Sequence, residues 1–207
     1  MKKIIFVAVV AMLAFASASA QPKKTEKVLW KNAKKTAQEL RQEGWKVDGS
    51  MPLEGLLFNH YQKLLDSNTQ ELIGNVIGNT SVTTVNQGQQ WAATMACISY
   101  SKTAGQTVRG RLVSEVGAGL AGSPSADSFY EGYESKVEKE IRGELKRSFS
   151  LFREKKEGGI DYKVFYTVNE ENAHKARIRA MQMIAAESEF ARANAEKISA
   201  FVRGGNF

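Results

Sequence analysis

The sequence predicts an α+β fold: a small, mostly antiparallel sheet packed against several helices. Three observations carry that prediction. Residues 160–168 alternate in polarity, with Ile160, Tyr162, Val164, Tyr166 and Val168 facing one way and Asp161, Lys163 and Thr167 the other; period two marks a strand. Segments 85–116 and 169–202 instead carry small and apolar residues at helical spacing. Helical and strand patterns also succeed one another without a regular βαβ alternation.

The first twenty residues read as an address rather than as structure. Lys2 and Lys3 precede an apolar run over 4–15, and Ala18-Ser19-Ala20 forms an A-x-A site. That is the pattern of a secretory signal peptide, with cleavage expected between Ala20 and Gln21. The run is too short for a membrane span, which needs ~20 apolar residues. The mature chain would keep 187 of the 207 residues, and losing Lys2 and Lys3 lowers the formal charge from +7 to +5. One domain over 21–207 suits this length. With 43% hydrophobic residues, the chain can build a true core.

Residues 21–27 are polar and are expected to form a flexible arm. Over 28–43, Leu29, Ala33, Ala37 and Leu40 recur at helical spacing, and Gly44 supplies a stop. Residues 45–47 suggest a short strand and Asp48-Gly49 a turn. A second helix follows Pro52 and runs to about 65, with Leu53, Leu56, Leu57, Tyr61, Leu64 and Leu65 inward. Residues 70–79 read as a strand whose two glycines predict a close neighbour. In the helix over 85–116, Trp91, Met95, Ile98 and Ala92, Ala96, Ser99 mark adjacent rows of a small-residue face. Phe129, Tyr133, Val137 and Ile141 place an amphipathic helix at 126–144, capped by Ser125 or Asp127. Residues 147–156 and 160–168 form a hairpin around Glu157-Gly158-Gly159. Asn169 starts the last helix, with Glu170 and Glu171 suited to its N-terminal dipole. That helix is expected to continue through Ala195 and Ile198 to about 202, where Gly204-Gly205 stops it.

Residues 117–122, GAGLAG, match G-x-G-x-x-G. The dinucleotide fingerprint requires a strand before the first glycine and a helix at the third. Here a helical pattern comes first, so an inter-helix loop is the expected reading and no dinucleotide or other cofactor is assigned. The lone Cys97 cannot form an internal disulfide and sits in an apolar helical stretch, which fits a small buried hydrophobe. His60 and His174 are far apart, with no clustered Cys or carboxylates, so no metal site and no catalytic residue is assigned. His60 reads as a surface or capping residue. The basic run 23–35 contains Lys31, Lys34 and Lys35 beside Trp30. Two readings of it are open: peripheral contact with an anionic membrane through Trp30, or docking of its apolar stripe on the sheet with the lysines in water. Nucleic acid is not expected for an exported chain of moderate charge.

Order and pattern then suggest a family. LIGNVIGNTS leads into WAATMACISYSKTAGQTVRG, a loop, FYEGYESKVEKEIRGEL, a strand and IDYKVFYTV. Over about residues 70–170 this resembles the LPP20-like bacterial envelope proteins, which include flagellar outer-membrane lipoproteins. The resemblance implies an α+β fold, an envelope address and no enzymatic activity, and it transfers no site residue. The chain departs from those lipoproteins in having no cysteine after the apolar run. The expectation is an exported, non-enzymatic interaction or assembly module of a Gram-negative envelope, in the periplasm or at the outer membrane. Its partner would be another envelope protein or a second copy. The expected contact surfaces are the first helix (Trp30, Lys31, Lys34, Lys35) and the polar face of 160–168 (Asp161, Lys163, Phe165, Thr167). A second layer over Phe165 is the preferred account of that exposed apolar ring. The rival expectation is a binder or hydrolase of cell-wall polymers, with His60 or His174 meeting carboxylates in a pocket.

Overall fold

Residues 22–79, 81–117 and 122–194 are described by the computed structural model. The signal peptide and the Ala20/Gln21 junction lie outside the described residues, as do Ala195, Ile198 and Gly204-Gly205. Along the chain come α1 (Pro22–Gln42), β1 (Lys46–Val47), α2 (Leu53–Lys63), β2 (Thr69–Val76), α3 (Val85–Val116), α4 (Pro124–Arg142), β3 (Lys146–Glu154), β4 (Ile160–Asn169), α5 (Glu170–Glu187) and α6 (Glu189–Ala193). Four strands form one sheet in the order β1-β3-β4-β2. Each neighbouring pair is antiparallel. The α+β fold stands as the sequence predicts.

Local chemistry sets the boundaries. Thr84 and Gln87 form a full capping box at the start of α3. Asn169 caps α5 by accepting from the Asn172 backbone N–H. α4 begins earlier than expected, because Ser123, not Ser125 or Asp127, accepts from Ala126 N and Pro124 takes the first turn. α1 likewise begins at Pro22, so residues expected as an arm are its opening turns. The last helical stretch is interrupted at Ser188, whose backbone is extended and whose hydroxyl caps α6.

The sheet is covered on both faces. Against the first face lie α1 and α2, whose Leu29, Ala33, Ala37, Leu40, Leu53 and Leu57 cluster with Phe149, Leu151 and Phe165. Against the second lies α3, whose Ala92 and Ala96 join Val76, Tyr162, Val164 and Tyr166. α4 and α5 pack behind α3 around Tyr130, Tyr133, Val137, Ala176, Ala180 and Met181. The expected close approach to β2 is real at Gly74, where an added Cβ would lie 1.9 Å from the Ala92 carbonyl oxygen. Of the two rows on α3, Ala92 and Ala96 are buried, whereas Trp91, Met95 and Ser99 are exposed.

Candidate functional site

The contact surface expected on β4 lies inside the protein. Phe165 is stacked on Phe149 at 4.3 Å beneath α1 and α2, so the second layer covers it. Thr167 is buried and donates to the Lys146 carbonyl at 3.5 Å. Asp161 is buried too: Oδ1 accepts from Gly78 N at 2.9 Å and Oδ2 from Arg153 at 2.6 and 3.2 Å. Burial works against the Asp161 charge, but these hydrogen bonds and the Arg153 charge win and hold its pKa below the ordinary value. Lys163 is half-buried, with Nζ 4.8 Å from the centre of the Trp45 ring. Burial lowers its pKa, and nearby Arg153 acts in the same direction against Glu43. Arg153 also lies over Trp45, at 4.7 Å. This β4 face is therefore internal structure and not a contact surface.

His60 is corrected in the same way. It is fully buried, not a surface or capping residue. Nε2 donates to Glu71 Oε1 at 2.6 Å, and the ring lies edge-on to Phe149 and Phe165, each at 5.7 Å. Nδ1 has no hydrogen-bond partner among the described residues. The carboxylate comes from β2 and the imidazole from α2, so the pair joins α2 to the sheet. His60 is among the residues lining an open groove of about 540 Å³, with Met51, Leu56, Asn59 and Lys63, so one histidine does meet a carboxylate beside a groove, as the rival expectation has it. His174 lies on α5, half-buried and remote from this pair in sequence. No group of three or more His, Cys, Asp or Glu arranged to hold a metal occurs among the described residues. Cys97 is buried and its thiol pKa is pushed up by desolvation, the setting of an unreactive thiol. At the GAGLAG segment, the chain reaches Gly117 from helix α3, and Gly117 caps that helix with φ +88°.

α1 is where the expected surface persists. Leu29, Ala33, Ala37 and Leu40 are buried, and Trp30 stacks on Phe58 at 4.4 Å. Trp30 is thus part of the packing and not an exposed anchor. Lys24, Lys27, Lys31, Lys34 and Lys35 are all exposed. Their spacing of three and four residues puts them in one stripe opposite the buried row. The stripe extends for about 16 Å at 1.5 Å per residue. Lys35 has Glu39 as an ion-pair partner at 3.9 Å.

These features define an α+β protein with a covered sheet and a one-sided basic helix. No protein-family model matches the chain, and neither curated proteins nor solved structures provide a match. The LPP20-like resemblance accordingly gains no support from comparison.

Proposed function

We propose that the mature chain is an exported, non-catalytic interaction module of the bacterial envelope that docks on an acidic protein surface through α1. The observation that carries this reading is the lysine stripe. Five cations project from one face of a helix whose opposite face is already committed to the core. The apolar face cannot enter a lipid bilayer without uncovering that core, and Trp30 is held by Phe58. An amphipathic membrane helix needs that face free. A charge-to-charge contact does not. The export step rests on the leader at 1–20, and the envelope address on the leader together with the LPP20-like pattern.

The test compares the mature chain with the triple variant Lys27→Glu/Lys31→Glu/Lys34→Glu. Each is immobilised and exposed to solubilised envelope fractions at low and high salt. The reading expects a defined bound protein that is lost in the variant and eluted by salt, because exposed pairs are screened beyond about 10 Å at 0.1 M. Circular dichroism should show the same helix content for both forms. Identical captured proteins for the two forms would remove the α1 reading. Lysine-dependent pelleting with anionic vesicles, without any captured protein, would replace it with a membrane contact.

A further inference from the structure

A second surface, remote from the lysine stripe in sequence, has a different lining chemistry. Where the first turns of α3 pass the end of α4, an open groove of about 550 Å³ is lined by Asn86, Gln89, Gln90, Thr94, Arg142 and Tyr166. None of the three carboxamide side chains is engaged in a hydrogen bond within the described chain. Tyr166 is 6% exposed, yet its hydroxyl has no hydrogen-bond partner among the described residues and is not sealed from solvent. The Tyr166 ring is thus held by the core while its hydroxyl opens to solvent in the groove, a donor and acceptor that a ligand can engage in place of water. Arg142 donates to Thr94 Oγ1 at 3.1 Å and stands 3.9 Å from Glu138, which leaves guanidinium donors directed elsewhere. Trp91 lies outside the lining, 48% exposed on the same helix and three residues before Thr94.

We propose that this groove binds an acidic oligosaccharide. Carboxamides pair a donor with an acceptor, which matches vicinal hydroxyl and acetamido groups. An exposed indole gives the apolar face of a pyranose ring a flat surface. Arg142 supplies the planar donor pair for a sugar carboxylate. The lining has one cation and no carboxylate, too little positive charge for a polyphosphate backbone and no acid pair for glycoside cleavage. The site therefore binds without cutting. It is independent of the α1 reading and shares no residue with it.

The probes are a tetrasaccharide of alternating N-acetylglucosamine and N-acetylmuramic acid, and its neutral counterpart, a tetramer of N-acetylglucosamine. Calorimetric titration of the mature chain should give a lower Kd for the acidic tetrasaccharide. Arg142→Gln should bring that Kd to the neutral value. Tyr166→Phe should weaken both probes by about 3- to 10-fold, the effect of one lost hydrogen bond, with an unchanged Tm because the hydroxyl serves no internal partner. Trp91→Ala should weaken both. Absence of binding at millimolar sugar, equal affinity for the two probes, or Tyr166→Phe and Arg142→Gln forms that bind like the parent would each overturn the proposal.

Discussion

His60 shows how much one side chain can hide from its sequence. In and just after α2 the apolar residues Leu53, Leu56, Leu57, Leu64 and Leu65 invite a stripe that passes beside the histidine. The buried row is Leu53, Leu57, Phe58 and His60, while Leu65 is 49% exposed. An imidazole at a stripe position reads as polar, and its partner Glu71 lies on a separate strand, so no local pattern announces the pair. Cys97 is the contrasting case, because a lone cysteine among alanines is legible as a small core residue. Hydrogen-bonded partners should matter most where one of them is fully buried. His60→Ala would open a cavity under α2 and strand Glu71 Oε1. We expect a loss of about 2–4 kcal/mol in urea unfolding. Glu71→Gln keeps an acceptor for Nε2 and should cost about 1 kcal/mol. A His60→Ala protein as stable as the parent would mean that the pair does not tie α2 to the sheet.

At the level of elements, the period of the pattern set type more reliably than limits. The long helix α3 spans the residues its spacing predicts because the capping box at Thr84 and the glycine at 117 are both local signals. Ser188 is not, since a helix of alanines and isolated polar residues gives no sign that one hydroxyl will cap a new turn. Glycine spacing carried more information. Gly74 lies on β2 facing the Ala92 carbonyl, and Gly88 on α3 faces the Tyr162 ring, with a Cβ there 2.7 Å from it. Strand and helix thus meet backbone to backbone. Gly74→Ala must push α3 off the sheet, at an expected cost of about 3 kcal/mol. Gly110 is also in α3, with open space around it. Gly110→Ala should raise stability by about 1 kcal/mol through helix propensity alone. The two changes are chemically the same, so opposite shifts of the urea midpoint isolate the packing. Two shifts of equal sign would disprove the close approach.

Across the whole molecule, the part that escaped the sequence is how many polar groups of β4 the second layer covers. Alternation along β4 distinguishes two faces by chemistry, and the second layer was legible only at Phe165, while Asp161, Lys163 and Thr167 read as exposed polar residues. Asp161, Lys163 and Thr167 are covered because each has a specific partner: Arg153 and Gly78 N, the Trp45 ring, and the Lys146 carbonyl. Arg153 and Lys146 come from the neighbouring strand β3, whereas Gly78 and Trp45 lie far along the chain, so polarity alone does not show which polar groups the α1–α2 layer covers. That layer is itself fastened by Arg41, which donates from both terminal nitrogens to Glu54 at 2.5 and 2.8 Å. The Arg41 hydrogen bonds pull the Glu54 pKa from 4.5 down to about 2. A carboxylate depressed on folding stabilises the protein above its unfolded value and loses that contribution as pH falls through the folded one. The window is therefore from about pH 5 down to about pH 2. Arg41 is half exposed, so solvent screening limits the pair to about 0.5–1 kcal/mol. In a chain of this size that is a Tm difference of about 1–4 °C. Arg41→Gln should melt lower than the parent by that amount at pH 7, and the two curves should converge near pH 2–3. Asp161 also has a depressed pKa, but it titrates in both proteins and drops out of the comparison. A Tm gap that stays constant from pH 7 to pH 2.5 would show that α1 and α2 are held by their apolar contacts alone.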